Sequence, residues 1–289
     1  MMARAKKMRH DAPLVKAARS GDAETCRQLL EEHADVEGVH RAIWVGANNG
    51  HTEVCRLLLE KADAPLVLID GARNGHTDVC RLLLQNGASV DTVDYDDSTA
   101  LIVGASRGHT EVCRLLLEKG ALLLERGASV DAVGQDGGTA LWEAASSGNI
   151  GICRLLLEKG ASVDAVGQDG RTALWEAASK GYIRICRLLL EKGASVKVAD
   201  EDGQTPLVAA AEEGHLDIFE LLMTRGADTN SVRMGIVPVL WDQLCQARDE
   251  LREWRAIPSQ LRETMVEFAE AGTKYQSENP CKRPRTAES

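Results

Sequence analysis

Two ladders of chemically capable side chains run through the chain. Six cysteines (Cys26, Cys55, Cys80, Cys113, Cys153 and Cys186) each stand before an arginine and a leucine-rich run. Four histidines follow a glycine, at His51, His76, His109 and His215. Thiols and imidazoles build zinc sites, disulfides and nucleophilic dyads. The spacing speaks against such uses here. No C-x-x-C occurs, so the usual zinc and redox spacings are absent. A phosphate-cradling G-x-x-x-x-G-K is also missing. The cysteines are therefore expected to serve as small buried apolar groups. No catalytic residue, metal ligand or cofactor site is expected, and an enzyme is not.

The elements that carry the ladders recur. Cys80 to Cys113, Cys153 to Cys186 and Cys186 to Phe219 are each 33 residues apart. Cys113 to Cys153 is 40, or 33 plus a seven-residue tandem copy, LLLEKGA at Leu115–Ala121 followed by LLLERGA at Leu122–Ala128. The phrase TALW at Thr139–Trp142 returns at Thr172–Trp175, and as TPLV at Thr205–Val208. Thr139, Thr172 and Thr205 can each cap a short Ala-rich helix, and Pro206 suits the first helical position. Gly148, Gly181 and Gly214 end that helix in the left-handed conformation. A second helix follows, with Cys153, Leu156 and Leu157 predicted on its buried face. Gly160-Ala161 closes it, and Ser162–Gly170 is predicted as a hairpin. One such unit cannot cover its own apolar face, so neighbours must stack. Equivalent residues then lie ~8–10 Å apart, too far to share a zinc ion and beyond the ~7 Å Cα limit of a disulfide. Seven residues fall only about 20° short of two helical turns. A helix extended through the copy is therefore expected in preference to a bulged loop.

Composition limits the partners. The 289-residue chain is 44% hydrophobic and 27% charged, a soluble balance, and its 3% aromatic content predicts a core of Leu, Ala and Val. A net charge of −10 excludes a general nucleic-acid binder, which needs cationic side chains against phosphates. No apolar run approaches the ~20 residues that span a bilayer, and the basic N-terminus lacks the apolar stretch of a signal peptide. A cytoplasmic protein is expected. Lys282-Arg283-Pro284-Arg285 leaves nuclear import open as an alternative to a solvated basic tail.

At the 33-residue period the sequence resembles the ankyrin repeat family, whose motif is roughly G-x-T-P-L-H-x-A-A-x-x-G-H. Gly203-Gln204-Thr205-Pro206-Leu207, Ala210-Ala211, Gly214-His215, Leu221-Leu222 and Gly226-Ala227 match it in order. The resemblance implies an all-α solenoid of stacked helix-turn-helix units with hairpin loops. It also implies a monomeric protein-binding scaffold that holds its partner on the hairpin tips and the exposed side of the first helices. Carried over by position, the tips are Tyr95, Asp96 and Asp97; Gln135 and Asp136; Gln168, Asp169 and Arg171; and Glu201 and Asp202. The helix positions are Arg19-Ser20, Asn48-Asn49, Arg73-Asn74, Ser106-Arg107, Ser146-Ser147, Ser179-Lys180 and Glu212-Glu213. The acidic tips suggest a basic or mixed-charge protein segment as partner. Asp, Gly and Gln are also good turn residues, so a purely structural reading stays open beside it.

Departures from the motif matter. Where the family has His after Leu, this chain has Val15, Trp44, Ile69, Ile102, Trp142, Trp175 and Val208, expected to pack inward. Cys26 to Cys55 is 29 residues and Cys55 to Cys80 is 25, so the first two hairpins should be stunted. The expected organisation is a basic tail at 1–10, seven repeats over 11–230, a degenerate eighth repeat or helical cap at 231–272 and a disordered tail at 273–289. A faint likeness of LCQAR and IPSQL to the suppressor-of-cytokine-signalling box gives an alternative. On that reading the C-terminal helix pair would dock a ubiquitin ligase and the chain would be its substrate-recruiting adaptor.

Overall fold

The computed structural model describes residues 13–31, 36–61, 67–122, 129–167 and 169–228. The expected terminal tails and the 231–272 cap lie outside these residues. The chain forms two compact units, Met1–Gln168 and Asp169–Ser289. Among the described residues there are fourteen helices, and the only β-pairing is two isolated bridges, Val93 with Thr99 and Val133 with Thr139.

The first unit holds α1 (Pro13–Ser20), α2 (Ala23–Glu31), α3 (Val36–Asn48), α4 (Thr52–Leu59) and α5 (Val67–Arg73). It continues with α6 (Thr77–Gln85), α7 (Ala100–Ser106), α8 (Thr110–Leu122), α9 (Ala140–Ser146) and α10 (Ile150–Glu158). Helices pack in consecutive antiparallel-type pairs. Odd-numbered first helices stack on one another, and so do even-numbered second helices. The second unit repeats this with α11 (Ala173–Ser179), α12 (Ile183–Glu191), α13 (Pro206–Glu212) and α14 (Leu216–Thr224).

Local chemistry fixes each pair. The Thr99, Thr139, Thr172 and Thr205 side chains accept from the backbone N–H three residues on, satisfying one free donor at each first-helix start. Pro206 stands at the beginning of α13, as expected. The turn glycines Gly148, Gly181 and Gly214 adopt φ of 77°, 78° and 75°, which only glycine holds cheaply. All six ladder cysteines are buried. Their sulfurs explain the small residues opposite: a Cβ on Gly71 would lie 3.1 Å from Cys80 Sγ, and one on Gly104 3.3 Å from Cys113 Sγ. Burial pushes the thiols of Cys55, Cys80, Cys113, Cys153 and Cys186 up to about 12.

Three expectations are corrected or sharpened. On α10 the buried leucines are Leu155 and Leu156, while Leu157 is half-buried, because the face against neighbouring second helices also takes up position 155. Trp44 is 46% exposed rather than packed inward, while Trp175 at the equivalent place is buried. Helix α8 runs through Gly120 to Leu122, 13 residues against nine in α10, so the tandem copy begins as helix. The rest of the copy lies outside the described residues. At the abridged hairpins α2 ends at Glu31 and α3 begins at Val36, leaving only four residues between helices.

Candidate protein-binding surface

The hairpins that present the tips are organised by carboxylates. Asp94 Oδ1 accepts from the backbone N–H groups of Asp96 and Ser98 at 3.1 and 3.0 Å, and its Oδ2 takes the Arg73 guanidinium at 2.8 Å. Asp200 in the second unit does the same, accepting from Asp202 and Gln204 at 3.1 and 2.8 Å and from Arg171 Nε at 3.5 Å. These inward-turned aspartates set the turn. The predicted tip residues point elsewhere. Tyr95, Asp96, Asp97, Gln135, Asp136, Asp169, Glu201 and Asp202 are all exposed. Gln168 lies outside the described residues.

Neighbouring tips within a unit are tied by backbone. Gln135 N–H donates to Asp96 O at 2.9 Å in the first unit, and Glu201 N–H to Asp169 O at 3.0 Å in the second. Arg171 is not a free tip residue. Its guanidinium sits 4.1 Å over the Trp175 ring and within 3.8 Å of Asp169, so it serves as an internal clamp. Trp175 Nε1 in turn donates to Gln204 O at 3.2 Å. In the near-copy one repeat earlier, Gly138 takes the place of Arg171 and Trp142 remains half-exposed.

In each unit the first-helix ends carry the other predicted positions. Arg107, Ser147, Lys180, Glu212 and Glu213 are exposed, while Ser146 and Ser179 are half-buried. Ser147 Oγ donates to Ser106 O at 2.9 Å, and Gln204 Nε2 to Glu212 Oε1 at 3.4 Å. Within each unit the histidine ladder ties neighbouring first-helix ends together. Nε2–H of His51, His76 and His109 donates to the carbonyls of Arg19, Asn48 and Arg73, each at 3.1 Å. His215 does the same to Ser179 at 3.1 Å. A carbonyl can only accept, so Nε2 carries the proton. Asn149 stands in for histidine in its repeat, donating to Ala105 O at 3.4 Å.

One cluster escaped the sequence reading. The Asp70 carboxyl is pushed above the usual carboxylate range by burial, against a hydrogen bond from Trp44 and the nearby Arg73 charge. An acidic residue two elements from an exposed tryptophan carries no local motif, so nothing in the sequence marked the pair. The stretch Gly104–Gly108, GASRG, has G-x-S-x-G spacing, but Ser106 ends helix α7 instead of sitting on a strand-to-helix elbow. No group of His, Cys, Asp and Glu among the described residues could hold a metal ion.

Stacked helix pairs at a 33-residue period, hairpins between them and a Gly-His brace define the architecture. A family model of ankyrin repeats in three copies matches residues 121–200 and 163–233, and one of ankyrin repeats in many copies matches 68–117. The chain belongs to the ankyrin repeat family. Ankyrin repeats mediate protein–protein interaction and are typically non-enzymatic. No curated protein matches the chain. No helix among the described residues of this ankyrin repeat protein is long and apolar enough to cross a membrane.

Proposed function

We propose that this ankyrin repeat protein is an interaction scaffold whose partner lies along the hairpin tips and the neighbouring first-helix ends. The partner segment is basic or mixed in charge. One observation carries this reading: the turns are made by Asp94 and Asp200, whereas the carboxylates of Asp96, Asp136 and Asp202 face solvent and take no part in the turn hydrogen bonds. Turn chemistry explains the inward acids and leaves the outward ones to attract cations. Charges at a rim act mainly on association rate and choice of partner.

Reversing Asp136, Asp169 and Asp202 together to Lys is expected to abolish capture of the strongest pull-down partner. Raised salt should weaken the wild-type capture in the same direction. Undiminished capture by the triple variant would sink the charge-steered reading.

A further inference from the structure

The hairpins of the first unit carry an apolar feature that charge does not explain. Val93, Val133 and Val166 hold equivalent positions, immediately before the turn, and are 42%, 54% and 48% exposed. Tyr95, in the turn that follows Val93 and is closed by Asp97 N–H on Asp94 O at 3.2 Å, is fully exposed. Asp94 between them turns the other way, to Arg73. The hairpins are neighbours. Gln135 N–H reaches Asp96 O at 2.9 Å, Ser162 N–H reaches Asp131 Oδ1 at 2.9 Å, and a Cβ on Gly167 would lie 3.7 Å from Gly137 O. The result is a stripe of one exposed valine per hairpin, beside the turn that carries Tyr95. The exposed carboxylates of Asp96, Asp97 and Asp136 rim it.

We propose that this stripe seats a proline-rich segment in the polyproline II conformation, with Lys or Arg at every third position. This deepens the scaffold reading above and rests on it. The reason is register. Stacked helix pairs repeat every ~8–10 Å. A polyproline II helix rises ~3.1 Å per residue with three residues per turn, so the same edge returns every ~9.3 Å and meets successive valines. An extended β-strand alternates faces and returns in register only after about six residues, or ~20 Å. An α-helix advances about 10.5 Å in seven residues, but it docks through anchors spread across a groove, which a stripe one valine wide does not supply. Polyproline II segments are recognised by exposed aromatic side chains and lose little entropy on binding, and Tyr95 offers such a face. The second edge of the same helix brings its cations over Asp96 and Asp136.

Titration of the full chain with three synthetic peptides tests this, followed by side-chain methyl and aromatic NMR. The probes are (Pro-Pro-Arg)4, the equally charged flexible (Gly-Ser-Arg)4, and a helical peptide with Leu and Arg at seven-residue spacing. The proline peptide should shift the Val93, Val133, Val166 and Tyr95 signals and bind about tenfold tighter than the flexible one. The triple variant Val93→Thr, Val133→Thr, Val166→Thr changes exposed positions only. It should keep its circular dichroism spectrum and lose about tenfold in affinity for the proline peptide. Equal binding of the proline and flexible peptides, a preference for the helical peptide, or an unaffected Val→Thr variant would each overturn the inference. If no peptide binds while the Asp136, Asp169 and Asp202 reversal still abolishes partner capture, this inference falls alone. If capture also survives the reversal, the charge-steered reading falls with it.

Discussion

At the scale of single residues, Gly50 and His76 form one joint. Gly50 has a φ of 79°, and a Cβ there would lie 2.7 Å from His76 Nδ1. The imidazole fills the space the missing side chain leaves and donates its Nε2–H to Asn48 O. His76→Ala should therefore cost about 1 kcal/mol, the net worth of one hydrogen bond. Gly50→Ala should cost about 2 kcal/mol, combining left-handed strain with the collision. The double variant should cost less than the sum, because removing the ring relieves the collision but not the strain. Urea unfolding measures all three. The Gly-His pairs were plain in the sequence. Their acceptors were not legible, because each bond spans 28 to 36 residues to a carbonyl that looks like any other.

At the scale of the hairpin, one side chain decides how firmly a turn is built. Asp94 and Asp200 anchor theirs, but the equivalent residue in the middle repeats is Gly134 or Gly167. The backbone closure is the same, with Gly134 N–H donating to Gly138 O at 3.1 Å as Asp94 N–H does to Ser98 O. A Cβ on Gly134 would crowd the rotatable Ser98 hydroxyl at 3.1 Å and rest at ordinary contact distance from the Gly138 and Asp96 carbonyls, 3.8 and 3.9 Å. Gly134→Asp should thus supply the missing turn acceptor and lower unfolded-chain entropy, raising stability by about 0.5–1 kcal/mol. A lower melting temperature for this variant would show that Ser98 cannot yield. The repeats' likeness in sequence was visible. That the single difference between Gly138 and Arg171 converts a half-exposed tryptophan into a clamped one is decided by the tertiary structure, since the clamp also recruits Asp200 from the following hairpin.

At the scale of the whole molecule, the cysteine ladder couples stability to alkali. Five thiols stay protonated in the fold up to about 12, against an ordinary value of 9.0. Above about pH 9 the unfolded chain ionises these thiols and the folded chain does not. Stability is therefore complete below that pH and falls as pH rises towards 12, by about 1.4 kcal/mol per thiol per pH unit. Thermal unfolding should show a steep loss between pH 9 and 11. At neutral pH a thiol reagent should leave the six ladder cysteines untouched until the chain unfolds. Early reaction of all eight thiols would contradict the buried ladder.

The sequence by itself determined the repeat, the helix pair, its threonine caps and its glycine stops. Each is a local rule of spacing and backbone conformation, restated every 33 residues. It also placed the acidic tip residues, though not Arg171, on the outside, because turn geometry leaves them nowhere else. Only the tertiary structure decided which aspartates face in or out, that Arg171 is spent on Trp175, that Trp44 stays exposed over Asp70, and that three valines line up in the open. Those outcomes depend on what the next repeat presents across the stack, and a pattern that is nearly identical from repeat to repeat does not encode its own neighbours.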